Sequence, residues 1–122
     1  MNYVDAAVAP LRKTGQIKLH GPEAFAGIRA AGRLTAECLD MLVPEVKPGV
    51  PTDRIDQLVH EFAMDHGALP ATLNYRGYRK STCTSLNHVV CHGIPNDKPM
   101  KEGDIVNIDV TLIVDGWHGD SS

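Results

Sequence analysis

Apolar residues recur at helical spacing in the first half of the chain. A first stretch carries them on one side, at Phe25, Ile28, Thr35, Cys38, Leu39 and Leu42. It follows Pro22 and Glu23, which both suit the first turn of a helix. The spacing predicts a helix of roughly twenty residues, which Pro44 ends.

A second stretch repeats the helical pattern after a proline- and glycine-rich turn. Its apolar side consists of Ile55, Leu58, Val59, Phe62 and Ala63, which follow the i, i+3, i+4, i+7, i+8 template. Thr52 is the predicted N-cap, and Gly67 is predicted to end the helix.

The pattern changes to that of strands and turns after Pro70. Thr72 to Arg79 is typical of a loop or an edge strand, and Thr82 to Cys91 indicates an interrupted strand. Ile105 to Val114 predicts a strand, and Trp117 to Ser122 predicts its antiparallel partner. Asp115-Gly116 between them is typical of a two-residue hairpin turn.

The hairpin turn fixes which side chains share a face of the predicted sheet. With two residues in the loop, Thr111 lies opposite Asp120, and Asp109 becomes a diagonal neighbour of Asp120. Ile113 and His118 share the same face. Two ionised carboxylates are costly in such apolar strands, whereas a divalent cation between them would favour both charges.

Other interpretations of these residues stay open at this point. Asp109 can instead face solvent or pair with a basic residue. His118 can either support the metal ligands from behind or face solvent. His92 ends an apolar segment before a glycine, where reactive groups are often presented, but a structural or surface histidine fits equally. Cys91 cannot form a nucleophile pair with His92, because neighbours on a strand point to opposite faces.

Composition narrows the class of protein. The chain has 122 residues, a formal net charge of −3 and three cysteines, and its apolar runs are interrupted by polar residues. These values suit one small domain or one lobe of a larger one, without a disulfide framework or a basic nucleic-acid-binding surface. Neither a signal peptide nor a membrane span is recognisable. We therefore expect a cytoplasmic protein.

Three segments together resemble type I methionine aminopeptidases. They are Asn87 to Pro95, Gly103 to Val110 and Asp115 to Ser122, in this order and with this separation of the two acids. The likeness covers about Ile17 to Ser122. It implies an α/β pita-bread fold, of which this chain is the N-terminal half, with two helices packed on an antiparallel sheet. Residues 1–16 are then an N-terminal extension and residues 17–122 the half-domain.

The resemblance also implies roles for individual residues around a dinuclear metal site. Asp109 would chelate one metal and Asp120 would bridge both, and His92 would act as the catalytic and substrate-positioning histidine. Three further residues would line the pocket for the methionine side chain, namely Tyr75, Tyr78 and Cys83. The backbone carbonyls of Asn87 and Val89 match positions that bind a monovalent cation. The divalent ions would be cobalt, manganese, iron or zinc.

The implied activity is hydrolysis of the first peptide bond, which removes the initiator methionine from nascent proteins. The implied partners are the N-terminal methionine of those polypeptides and the ribosome, and the complete protein would be a cytoplasmic monomer that binds neither a membrane nor specific nucleic acid. The family commonly has a cysteine where Thr72 stands. Its remaining metal ligands, one histidine and two glutamates, lie in a second half that this chain lacks, so we expect a partial chain that is inactive alone.

Two alternatives remain at this stage. One is a prolidase-like peptidase of the same fold, against which the tyrosine-rich loop Asn74 to Tyr78 argues. The other is a non-catalytic fragment or binding module, against which the presence of Asp109, Asp120 and His92 argues.

Overall fold

The computed structural model describes residues 2–8 and 15–122. Their strands and α-helices are, in chain order, β1 (Asn2–Asp5), β2 (Gln16–Leu19), α1 (Pro22–Leu42), α2 (Thr52–Asp65), β3 (Leu69–Pro70), β4 (Cys83–Leu86), β5 (Val106–Val114) and β6 (Trp117–Ser121). Short 3-10 turns follow α1 and precede β4. Both predicted helices and the predicted hairpin are confirmed.

Strand β5 is the centre of the main sheet. It pairs antiparallel with β3, β4 and β6. Along β5, Val110 and Leu112 are fully buried against the helices. Asp109 and Thr111 lie on the opposite face, because side chains alternate along a strand. The predicted arrangement of two helices on one face of an antiparallel sheet is confirmed.

Helix α2 and the second half of α1 bury their predicted apolar sides against that inner face of the sheet. Helix α1 contributes Cys38 and Leu42, and α2 contributes Ile55, Val59 and Ala63. Burial raises the pKa of the Cys38 thiol to about 11. The outer face of the sheet therefore stays free to carry polar groups.

The first half of α1 differs from the prediction. Phe25 and Ile28 are 56% and 44% exposed, whereas Ala24 and Ala31 are buried. Here the helix lies so close to β6 that a Cβ added to Gly27 would meet the ring of Trp117. Only small side chains fit between the two elements, so the larger apolar residues are turned outward.

The predicted N-cap of α2 is wrong. Pro51 occupies that position, and Thr52 is the first helical residue. The Thr52 hydroxyl instead accepts a hydrogen bond from the backbone N–H of Asn96, at 3.0 Å. This bond ties the start of α2 to the loop before β5.

The interruption predicted within Thr82 to Cys91 is confirmed, because Asn87 adopts a left-handed conformation with φ of 52° and ends β4 after Leu86. The chain does not return to a strand before β5. The Asn87 side chain accepts a hydrogen bond from the N–H of Ile105 at 3.1 Å and donates one to Asp104 at 3.0 Å. These bonds fix the turn to the start of β5.

The N-terminal strands form a separate parallel pair, β1 with β2. Strand β2 ends at Leu19, and only His20 and Gly21 separate it from the first residue of α1, Pro22. Strand β1 falls inside the predicted extension 1–16, of which residues 1 and 9–14 lie outside the described part. Among the described residues, no helix is both long and apolar enough to cross a membrane.

Candidate active site

The β5–β6 hairpin has the predicted register. Thr111 pairs with Asp120 and Ile113 with His118. The turn residues Asp115 and Gly116 have φ of 48° and 82°, as a type I′ turn requires. Asp109 and Asp120 therefore lie on the same outer face of the sheet.

A cavity of about 550 Å³ lies over this face. Its lining residues are Thr72, Tyr75, Tyr78, Cys83, His92, Ile94, Asp109, Thr111 and Asp120. All the residues predicted to bind divalent metal or substrate through their side chains are among them. The structure thus brings together residues that are 45 positions apart in the chain, from Tyr75 to Asp120.

The two acids of the cavity interact with each other. Burial raises the pKa of Asp109, and the charge of Asp120 and a hydrogen bond between the two carboxyl groups raise it further, while His92 acts in the opposite direction. The hydroxyl of Thr111 donates a hydrogen bond to Asp120 Oδ1 at 2.9 Å. Cys83 pairs directly with Asp109 across β4 and β5. The neighbouring groups thus hold two like charges close together.

The donor set fits part of a divalent-metal site. Two adjacent carboxylates open to a cavity are oxygen ligands that manganese, iron and zinc accept, and a cation would relieve their mutual repulsion. Within residues 2–8 and 15–122, however, no group of three or more histidine, cysteine, aspartate or glutamate side chains could hold a metal. Asp109 and Asp120 would hold such an ion only together with further ligands.

His92 stands in a strained backbone conformation, with φ of 55°. Gly93, which follows it, is packed so closely on β4 that an added Cβ would meet the carbonyl oxygen of Thr84. The Gly93 N–H donates to the Ser85 hydroxyl at 3.0 Å, and the Gly93 carbonyl accepts from Thr84 N–H at 2.8 Å. A left-handed residue other than glycine costs about 1–3 kcal/mol and often marks a functional position. The segment thereby fixes where His92 enters the cavity.

Tyr78 and Cys83 form another part of the cavity wall, with Cys83 next to Asp109. The Tyr78 hydroxyl donates to the carbonyl of Thr82 at 2.7 Å and accepts from the Cys83 thiol at 3.6 Å. Burial, and next the hydrogen bond with Cys83, raise the pKa of Tyr78 above its usual value. The phenol therefore stays neutral, and the wall offers an aromatic ring and a sulfur atom.

A buried acid behind this wall, Asp56 on α2, was missed by the sequence analysis. Its Oδ1 accepts hydrogen bonds from the N–H of Ser81 at 2.8 Å, the N–H of Thr82 at 2.9 Å and the Thr82 hydroxyl at 2.9 Å. The available signal was an acid next to Ile55 on the apolar side of the helix. Asp56 thus anchors the segment from which Tyr78 and Cys83 reach the cavity.

Three residues singled out from the sequence lie outside the cavity. Asn87 and Val89 belong to the exposed turn after β4, so the binding of a monovalent cation by their carbonyls stays a prediction. His118 pairs with Ile113 on the same face of the sheet, near the hairpin turn, and is exposed. Thr111 and Ile94, to which the sequence assigned no role, do line the cavity.

The fold and the site define a class of protein: a helix-covered antiparallel sheet with paired acids on its open face, as in the pita-bread metallopeptidases. Metallopeptidase family M24 matches residues 26–122. The chain belongs to this family.

Individual relatives agree with this assignment. The methionine aminopeptidase of Rickettsia prowazekii is 60% identical over 106 residues, which are 87% of this chain and 41% of that protein. Its crystal structure superposes with a TM-score of 0.83, over 84% of this chain and 42% of the other. The prolidase of Pyrococcus furiosus superposes with a TM-score of 0.69 over 82% of this chain and 28% of its own. At 20% identity, this likeness shows the fold alone. The chain thus spans between 26% and 41% of the length of the curated relatives that it matches.

Proposed function

We propose that this chain is part of an aminopeptidase that removes the N-terminal methionine of polypeptides by metal-dependent hydrolysis. The observation that carries this proposal is the convergence of Asp109, Asp120 and His92 with an aromatic and sulfur-lined wall in one cavity. The 60% identical relative from Rickettsia prowazekii is a methionine aminopeptidase, which supports the same activity.

In this proposal Asp109 and Asp120 would hold the divalent ions, Asp109 as a ligand of one ion and Asp120 as a ligand of both. The ions, drawn from cobalt, manganese, iron and zinc, supply an acidified water and polarise the peptide carbonyl when bound. Two carboxylates do not complete such a site, so further ligands come from outside this chain. The chain alone is then inactive.

The remaining cavity residues bind and orient the substrate. Tyr75, Tyr78 and Cys83 surround the thioether of the methionine, since sulfur and aromatic groups pack favourably on one another. His92 donates or accepts a hydrogen bond at the peptide bond that is cleaved. Polypeptides leaving the ribosome in the cytoplasm are the proposed substrates, and the complete protein acts as a monomer. The carbonyls of Asn87 and Val89 bind a monovalent cation.

The proposal is tested with this chain joined to the remaining length of the Rickettsia relative. The joined protein is loaded with Mn²⁺, and free methionine released from a Met-Ala-Ser peptide is measured. We expect release by the joined protein and none by the 122-residue chain. Asp109→Asn should weaken Mn²⁺ binding by more than about tenfold, because even groups behind metal ligands contribute about 10–100-fold.

A matched control is available in the same hairpin. Asp115→Asn also exchanges an acid for an amide, but it lies in the exposed turn, where asparagine is equally suited to positive φ. It should leave Mn²⁺ binding and methionine release unchanged. Cleavage of Xaa-Pro dipeptides instead of Met-Ala-Ser would favour the prolidase-like alternative, and release by the 122-residue chain alone would refute the need for outside ligands.

A further inference from the structure

Arg76 holds a positive charge beside the mouth of the cavity. Its neighbour Tyr75 lines the cavity and is 61% exposed, so the ring lies at the opening. The guanidinium carbon of Arg76 lies over this ring, 5.2 Å from its centroid. A cation over an aromatic face is attracted to it, which favours this position of the charge.

The backbone around Arg76 is tightly constrained. Asn74 and Arg76 both have positive φ, at 65° and 48°. The N–H of Asn74 donates to the carbonyl of Tyr78 at 2.7 Å, and the N–H of Tyr78 donates back to the carbonyl of Tyr75 at 2.9 Å. The loop is therefore closed on itself, and Arg76 projects from a fixed point.

The charge of Arg76 is not neutralised by the part of the chain that the structure describes. Its guanidinium has no carboxylate within ion-pair distance there and donates no hydrogen bond, whereas Lys80 in the same segment pairs with Asp53 at 2.8 Å. A guanidinium over an aromatic ring retains its fork of N–H donors, which matches the two oxygens of a carboxylate.

We propose that Arg76 recognises a carboxylate of the substrate, so that the protein prefers peptides with an acidic residue shortly after the terminal methionine. This inference rests on the proposed function, in which the methionine fills the cavity. The rest of the peptide then leaves through the mouth, past the ring of Tyr75 and the guanidinium that lies over it. An acidic side chain there meets an unpaired cation, while a basic one is repelled.

The test compares peptides that differ only in one charge. Peptides of the form Met-Ala-Xaa-Ser-Gly and Met-Ala-Ser-Xaa-Gly, with Xaa as aspartate or asparagine, are cleaved by the joined, Mn²⁺-loaded protein. We expect kcat/KM about two- to fivefold higher for aspartate in at least one position, which is the range for a solvent-exposed ion pair. The preference should shrink as salt is raised from 0.05 to 0.5 M, because exposed charges are screened.

Two arginine variants separate Arg76 from the general charge of the loop. Arg76→Gln removes the charge while keeping an unbranched side chain at the positive φ, and it should bring the aspartate-to-asparagine ratio to about one. Arg79→Gln removes an exposed charge of the same loop that is not stacked at the cavity, and it should keep the ratio.

The possible results are distinct. The inference is overturned if neither position shows an aspartate preference, or if the preference persists in Arg76→Gln. It is also overturned if Arg79→Gln abolishes the preference equally, because the effect would then come from the total positive charge of the loop. Absence of methionine release from every peptide, aspartate and asparagine alike, would instead contradict the proposed function itself.

Discussion

Asp109 retains its proton more strongly than a free aspartate, because it is half-buried beside Asp120. Its pKa is therefore higher in the folded chain than in the unfolded chain. The stabilisation that follows from a raised pKa is present below the unfolded value and is lost as the pH rises through the folded value. In the metal-free chain, ionisation of Asp109 beside Asp120 is therefore unfavourable.

Replacing this acid should stabilise the metal-free chain. With a chelator present at pH 7, we expect Asp109→Asn to unfold at a higher temperature than the original chain. The gain in free energy of unfolding should be less than about 1 kcal/mol, because the site is partly open to solvent. The difference should vanish near pH 3, where aspartate is protonated in both states. Calorimetry between pH 3 and 8 measures it. A constant difference at all pH values would exclude repulsion as the cause.

Thr84 offers a second prediction at the scale of one residue. It is buried on the helix-facing side of β4, and its hydroxyl oxygen has no hydrogen-bond partner within the part of the chain that the structure describes. Thr84→Val keeps the shape and removes an unsatisfied polar group, so it should raise the free energy of unfolding by about 1 kcal/mol. Urea unfolding with an unchanged slope checks the gain.

The matched control for Thr84 lies two residues earlier. The Thr82 hydroxyl donates to buried Asp56, so Thr82→Val should lower the free energy of unfolding by about 1–3 kcal/mol. If Thr84→Val and Thr82→Val changed the free energy of unfolding equally, the difference in hydrogen bonding between the two hydroxyls would not determine their contribution to stability.

At the scale of elements, the position of Asp120 depends on how closely α1 approaches β6. A Cβ on Gly119 would meet the carbonyl of Ala31 in α1, and the Thr35 hydroxyl donates to the carbonyls of both, at 3.0 Å to Ala31 and 2.9 Å to Gly119. The glycine next to the proposed metal ligand is therefore a contact point between strand and helix.

Gly119→Ala should separate β6 from α1. We expect a loss of about 1–3 kcal/mol in the free energy of unfolding, as for an overpacked core. Gly32→Ala, in α1 itself, is the control, because an added Cβ meets no described residue within 4 Å. Alanine also favours the helix by up to about 1 kcal/mol. Chemical denaturation of both variants measures the contrast, and a stable Gly119→Ala would contradict the close approach.

The elements also show what the sequence could and could not predict. Helix periodicity and the Asp115-Gly116 turn are local signals, so the helices and the register of the hairpin were predictable. The outward Phe25, the hydrogen-bonded Thr52 and the anchoring acid Asp56 depend on partners far along the chain. The gathering of His92 with the acids followed only from the family resemblance, because no local pattern brings the loop after β4 to the hairpin.

At the scale of the whole molecule, stability is unevenly distributed. The β1–β2 pair consists mostly of exposed residues, whereas β5 carries the fully buried Val110 and Leu112. Segments with few buried apolar contacts open most readily. We expect backbone amides of β1 and β2 to exchange with deuterium at least about a hundredfold faster than those of Val110 and Leu112. Equal rates, followed by mass spectrometry, would show that the molecule opens as one unit.

The two-residue turn at Asp115 and Gly116 limits how this gene segment can change in length. One additional residue would slip β6 by one position and turn Asp120 toward α1, with Gly119 facing the cavity in its place. Two additional residues would preserve the pairing. Inherited insertions here should therefore occur in steps of six nucleotides, unless a bulge absorbs the odd residue.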